Sequence, residues 1–300
     1  MNLLTHSKIT EEIKEELFAF NYDDTSLESV LKAEKKHVKV FKNLDSLSEI
    51  EKNLNVTSGI DFYVTNNRIM FLDCQPFGSS VVLEDLIQNE NKRLNVIGDF
   101  LLLENSEEIQ GLQLLAFLLS VCHVVILVQD YFFDSNVVRF FLSAEMLKPT
   151  ISNPEDEYME HFPHLILLHN RAQTSDFSPA NFKKMQHMYN LMFSKSKCHI
   201  NSKLGLGSCH LINCLFPEDC SELINLILIP EYSEETEVMY NGHSSLENLI
   251  KKLRSNILGC TKYPLTHVQL TEKNWLIYCT KVWDHIKKSN FFVEYDKLLP

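Results

Sequence analysis

The sequence predicts an α/β fold: a mostly parallel sheet with helices on both faces. Three apolar runs, residues 122–128, 164–169 and 223–229, are rich in Val, Ile and Leu and lack alternation, the pattern of strands buried on both faces. Helical segments separate them at the spacing of parallel βαβ units. Upstream, residues 60–65 and 68–73 form two β-rich runs joined by Asn66-Asn67, residue types that tolerate positive φ, so a hairpin with a two-residue link is expected there.

The elements follow in order. Residues 9–20 read as a charged helix with Ile13, Leu17 and Phe20 on one face, residues 38–41 as a short strand, and residues 43–55 as loop. After the hairpin, residues 106–119 are helical and feed the strand at 122–128. The uncharged stretch 111–128 has the length of a membrane span. It changes at Ser120-Val121-Cys122-His123 from Leu, Ala and Phe to β-branched residues, so it divides into a helix and a buried strand. Residues 134–147 form a helix stopped by Pro149, and residues 178–193 form another with Pro179 in its first turn. Residues 244–258 are helical, with Ser244 and Glu247 at capping-box spacing. Acidic stretches at 153–160 and 231–237 read as surface loops, as does Gly205-Leu206-Gly207-Ser208.

The last element is a helix over 272–288, N-capped by Thr271 and closed by Lys287 and Lys288, which complement its dipole. Trp275, Tyr278, Cys279, Val282, Trp283 and Ile286 share one stripe. Two readings of Trp275 and Trp283 stand side by side: packing on the domain's own sheet, or anchors of a partner-docking face. Residues 1–260 are expected to form one α/β domain and residues 261–300 a helical extension, packed on it or on a partner.

Composition narrows the function. The chain has 300 residues, 45% of them hydrophobic, enough for a packed core. Its formal net charge of −12 and scattered lysine pairs disfavour direct nucleic-acid binding. Eight cysteines in partly apolar surroundings and the lack of a signal peptide point to a reducing, cytoplasmic setting. Cys209, Cys214, Cys220, His210 and the Cys198-His199 pair lack a Cys-x2-Cys knuckle, so no metal is expected. His161 and His164 flank Pro163 before a strand and read as loop histidines.

In a doubly wound sheet, ligands sit beyond the carboxyl ends of the strands. Those ends carry Asp73-Cys74-Gln75-Pro76, Gln129-Asp130 and His169-Asn170-Arg171-Ala172-Gln173, an order that follows a small GTPase. The segments Thr57-Ser58-Gly59-Ile60-Asp61-Phe62 and Arg68-Ile69-Met70-Phe71-Leu72-Asp73-Cys74-Gln75-Pro76 resemble the switch regions of the SMG-nine family. Val121-Cys122-His123-Val124-Val125 with Val128-Gln129-Asp130, and Ala144-Glu145-Met146-Leu147-Lys148-Pro149, are similar to the same family. So is Leu270-Thr271-Glu272-Lys273-Asn274-Trp275 near the C-terminus.

The resemblance implies a P-loop GTPase-like fold and a role in nonsense-mediated mRNA decay. It implies a heterodimer with the SMG-eight paralogue, which this subunit bridges to the SMG-one kinase and helps restrain. Release factors and stalled ribosomes are then indirect partners. It further implies a vestigial nucleotide site at Thr57, Asp73 and Asn170. Departures from the GTPase pattern make a pseudo-enzyme the expected state. Pro76 stands where Asp-x-x-Gly has Gly and has no N–H for a γ-phosphate. Gln173 stands where the guanine-reading carboxylate belongs. The Gly-x4-Gly-Lys-Ser/Thr loop is missing, and Met1-Asn2-Leu3-Leu4 looks like the helix that follows it. The chain is therefore expected to lack the first strand and P-loop, and nucleotide is expected only in a longer form. The rival expectation is an active nucleotide hydrolase represented by a truncated gene model.

Overall fold

The computed structural model describes residues 57, 59–65, 68–79, 82–84, 103–130, 132–149, 159–208, 224–231, 244–267 and 269–298. The expected elements at 9–20 and 38–41, the Asn66-Asn67 link, the cysteines at 209, 214 and 220, and most of both acidic stretches lie outside the described residues. The chain divides into two units, Met1–Glu108 and Ile109–Pro300.

In the first unit β1 (Ile60–Val64) pairs antiparallel with β2 (Met70–Cys74), with Val64 opposite Met70. The hairpin is confirmed, but its link is longer than two residues. Arg68 N–H donates to Thr65 O (2.9 Å), and Thr65 N–H donates to Ile69 O (2.9 Å). Arg68 takes φ 59°, the left-handed residue that completes a three-residue loop. Thr65 Oγ1 accepts from Ile69 N–H (3.0 Å), a side-chain bond that favours this longer turn.

The second unit is built on three parallel strands in the order β3-β4-β5: Val124–Asp130, His164–Ala172 and Leu226–Pro230. β4, the middle strand, is buried at every residue. β3 is less covered than its apolar sequence predicts: among the described residues it pairs on one side only, and Val128 is 56% exposed. Helices α1 (Leu103–Val121), α2 (Ser135–Leu147), α3 (Pro179–Met192) and α4 (Leu246–Gly259) flank the sheet in sequence. The stretch 111–128 divides between α1 and β3, and no described helix is long and apolar enough to cross a membrane.

The helix starts follow local chemistry. Asp134 and Ser178 cap α2 and α3, accepting from Asn136 N–H (2.8 Å) and Asn181 N–H (3.4 Å), and Pro179 occupies the first turn of α3. At α4 the expectation shifts by one residue. Ser245, not Ser244, is the N-cap and accepts from Asn248 N–H (3.4 Å), because an N-cap hydroxyl must reach the amide three residues on.

A loop at 199–206 is tied to the start of β5 by Asn225, which is fully buried. Its Oδ1 accepts from Ser202 N–H and Leu204 N–H, each at 3.0 Å, and its Nδ2 donates to Leu165 O and His199 O, each at 3.0 Å. His164 lies beside this knot. Its two ring nitrogens bond Ser202 Oγ and Thr261 O, each at 2.6 Å. His161 and His164 are thus buried structural groups, 4% and 2% exposed: His161 lies in the loop before β4, as expected, whereas His164 is the first residue of that strand.

α5 (Glu272–Lys288) begins at Thr271 as expected and is followed by α6 (Asn290–Asp296), which no sequence signal had marked. α5 packs on the end of α1. Trp275 Nε1 donates to Val121 O (3.2 Å), and Tyr278 OH donates to Ser120 O (3.1 Å). These donors satisfy carbonyls that the last turn of α1 leaves without intrahelical partners. Trp283 meets Phe117 edge-on at 5.7 Å, and Lys287 Nζ lies 5.2 Å from the Trp283 ring. Tyr278, Cys279, Val282 and Ile286 are buried, whereas both indoles are only half-buried.

Candidate functional site

The residues singled out by sequence fall in two places, one on each unit. On the first, Thr57 and Asp73 are brought together: Thr57 Oγ1 donates to Asp73 Oδ2 at 2.8 Å, and Thr57 is buried. The same turn is locked by reciprocal bonds, Gly59 N–H to Gln75 Oε1 (2.7 Å) and Gln75 N–H to Gly59 O (2.8 Å). Gly59 takes φ 80°, which an L side chain resists. Gly78 N–H donates to Glu107 Oε1 (3.1 Å), while burial pushes the Glu107 carboxyl up from its usual range. Burial, and then Asp73, push the Cys74 thiol up to about 12, so it is inert as a nucleophile.

On the second unit, Asp130 and Asn170 are register partners at the carboxyl ends of β3 and β4. Asn170 Nδ2 donates to Asp130 Oδ1 (3.0 Å), and Arg171 Nη1 lies 3.7 Å from Asp130 Oδ2. The β4–β5 register shifts between His169 and Ala172, and Arg171 takes φ 54°. A bulge with a left-handed arginine costs about 1–2 kcal/mol, the kind of local strain that concentrates where side chains are re-aimed at a site.

Sequence reasoning missed much of this edge. His169 is 2% exposed, and neither ring nitrogen has a hydrogen-bond partner. The buried atoms Gln129 Nε2, Asn170 Oδ1 and Gln186 Nε2 are likewise without one. Gln129 Oε1 lies 3.3 Å from the Tyr189 hydroxyl, which also meets the Phe132 carbonyl, and burial pushes that phenol's pKa up. Orphaned buried polar atoms cost about 1–3 kcal/mol each and are rare, which makes this strand end a candidate site. The available signal was the polar run Gln129-Asp130 and His169-Asn170-Arg171 closing two apolar strands.

The set does not fit a guanine reader. Asn170's amide is engaged by Asp130, and Gln173 offers no carboxylate. The nearby Asp176 carboxylate instead accepts from Gln173 N–H (2.8 Å), capping the 3-10 turn Thr174–Phe177. Among the described residues no group of three or more His, Cys, Asp or Glu is placed to hold a metal ion.

His169 makes the unit acid-sensitive. Burial holds its pKa down at about 4, with Asp176 and Asp130 pulling the other way. His161 is held at about 4 by burial, with Lys148, His123 and His199 adding to the depression and its bond to Cys122 O opposing it. Both are neutral in the fold and gain protons near 6.5 when unfolded. Their stabilisation is therefore complete above pH 6.5 and is lost as pH falls toward 4. Urea denaturation from pH 7.5 to 4.5 should show this decline, and His169→Gln should remove on the order of 2 kcal/mol of it. An unchanged slope in that variant would exclude His169 as a source.

The fold and these strand ends define the class, an α/β domain with a parallel sheet, compatible with the P-loop fold. The Smg8_Smg9 family model matches residues 25–155. The chain is 36% identical over 275 residues to the nonsense-mediated mRNA decay factor SMG9 of Xenopus tropicalis, covering 83% of this chain and 54% of that protein. It is 35% identical over 274 residues to SMG9 of Salmo salar, with the same coverage, and 24% identical over 221 residues to Protein SMG9 of Drosophila melanogaster. The chain belongs to the Smg8_Smg9 family and resembles its SMG9 members. It spans about half the length of the vertebrate relatives it matches.

Proposed function

We propose that this chain is a non-catalytic regulatory subunit of the cytoplasmic nonsense-mediated mRNA decay machinery. In this reading it pairs with an SMG8-type paralogue, bridges it to the SMG1 kinase and helps restrain that kinase. Release factors and stalled ribosomes are reached through the complex. The observation that carries the reading is the likeness to SMG9 decay factors over 83% of the chain. The strand-end chemistry agrees with it: Asn170 and Arg171 both face Asp130, an arrangement suited to holding a loop and not to turning over a nucleotide. Thr57 and Asp73 on the first unit, and Asn170 on the second, are each read as remnants of nucleotide-site chemistry that holds no cofactor in this chain.

The proposed docking element is the helical extension of residues 261–300. Trp275 and Trp283 are each half-buried against α1, and Leu276, on the Trp283 side of the helix, is 62% exposed. Half-buried indoles next to exposed aliphatics form the kind of anchor that interfaces favour. Co-expression with the paralogue, followed by light scattering, should give a 1:1 complex. Adding that complex to the kinase should lower its phosphorylation of substrate. Trp283→Ala should cost about 2 kcal/mol of fold stability, less than a fully buried tryptophan would, and weaken the complex at least tenfold. Failure to form a complex, or GTP or ATP hydrolysis that disappears in Asp73→Ala, would overturn the reading.

A further inference from the structure

Residues 260–271 join α4 to α5, and their first half is fastened along the amino end of the sheet. Thr261 O accepts from Nε2 of His164, the first residue of β4, at 2.6 Å. Tyr263 stacks on His199 with ring centroids 4.2 Å apart and planes at 28°, and it meets the His164 ring at 5.2 Å. Leu265 O accepts from Met159 N–H (3.2 Å), and Leu265 and Thr266 are buried. His199 is itself tied to the start of β4. Its N–H donates to Pro163 O (3.0 Å), and its carbonyl accepts from Leu165 N–H (3.2 Å).

Between these anchors the segment stands off the core. Residues 261–264 are exposed, and a cleft of about 450 Å³ opens beside Thr261 and Tyr263, lined also by His164, His199 and Ser202. The fastening is thus a few discrete contacts at the surface, of the kind that open together while a core stays closed. What it restrains is α5. From Thr266 the chain can span about 20 Å to Glu272, and from Cys260 about 40 Å. Unfastening doubles the tether and lowers the effective concentration of α5 at α1 about threefold, before any loss of orientation.

We propose that residues 261–266 are a strap that opens and closes as one unit with α5, and that His164, His199 and Tyr263 are its positioning residues. The strap then regulates docking, which rests on the reading of α5 given above. Fastened, it holds the Trp275 and Trp283 face together on α1. Open, it releases Tyr278, Cys279, Val282 and Ile286 from their buried setting and the face is lost.

Amide hydrogen exchange of the full chain, read by mass spectrometry, tests the strap. Strap and α5 amides should exchange at a common rate of opening, faster than Leu165–Leu168 in β4. Tyr263→Ala combined with Leu265→Ala should speed α5 exchange at least threefold, although neither residue lies in α5. Tyr263→Phe keeps the ring stack and should behave as the unaltered chain does. Should the double variant fail to fold, Tyr263→Ala and His199→Ala each remove one ring of the stack at an unburied position. Each should then speed α5 in smaller measure, and together no more than singly. Strap amides that speed up while α5 does not, or α5 that exchanges only in step with β4, would overturn the proposal. Adding the SMG8-type paralogue should slow α5 exchange. Paralogue binding that leaves α5 exchange unaltered, while the strap variants still speed it, would keep the strap and overturn the docking reading instead.

Discussion

Asn225→Ala is expected to lower the unfolding free energy by about 4–5 kcal/mol, a third or more of what a domain typically holds. Four of this amide's five hydrogen bonds go to backbone groups, the N–H of Ser202 and Leu204 and the carbonyls of Leu165 and His199, and the fifth, at 3.5 Å, goes to Ser202 Oγ. The side chain is 0% exposed, so its removal strips the Ser202 and Leu204 amides and the Leu165 carbonyl of this partner at about 1–3 kcal/mol each, less what entering water recovers, while His199 O keeps its bonds from Leu165 N–H (3.2 Å) and Ser202 Oγ (3.1 Å). Asn225→Leu restores volume but no bonds. Asn225→Asp keeps the acceptor and turns a carboxylate toward two carbonyls. Both should therefore be as harmful as alanine or worse. Urea titration followed by the fluorescence of Trp275 and Trp283 measures the loss. A cost under about 2 kcal/mol would show that water takes over the bonding.

Gly205→Ala, the addition of one methyl group, should cost about 3 kcal/mol. A Cβ at this position would lie 2.3 Å from Ile224 O, 2.7 Å from Leu226 N and 3.0 Å from Leu226 O. These are backbone atoms of the β5 entry, so no side chain can rotate away. Elsewhere the same substitution gains about 0.4–1 kcal/mol by restricting the unfolded chain, and here the clash outweighs that gain. Gly259→Ala is the control, because a Cβ there meets nothing within 4 Å. It should be neutral or slightly stabilising. Melting temperatures that move in the same direction for both variants would refute the steric account. Gly205 and Asn225 close one junction, so the double variant should lose less than the sum of the two.

What was legible in the sequence was local. Pro179, Thr271 and Asp134 announced helix starts because capping acts over three residues, and the apolar strands announced a parallel sheet because β4 is covered throughout. The hairpin was visible, but its register depended on Arg68 adopting a left-handed conformation that Asn66-Asn67 would be expected to take first. Ser244 and Ser245 are adjacent hydroxyls, and only the helix phase chooses between them. Asn225 carries no sequence signature, since its value lies in backbone groups 21 to 60 residues away. The strand-end site was half legible. Asp130 and Asn170 stood out as polar residues closing apolar runs, whereas the bulge at Arg171 and the buried His169 arise from β4 meeting β5.

The way α5 closes α1 has a consequence for biosynthesis. Val121 and Ser120 receive their hydrogen bonds from Trp275 and Tyr278, 154 and 158 residues later in the chain. At about 5–20 residues per second, a ribosome needs roughly 8–30 s to deliver those donors after making the carbonyls they serve. Throughout that interval the apolar end of α1, including Phe117, emerges without its cover. The growing chain therefore presents a sticky helix end until α5 is made, and a chaperone that shields this end and yields to α5 would match the order of synthesis.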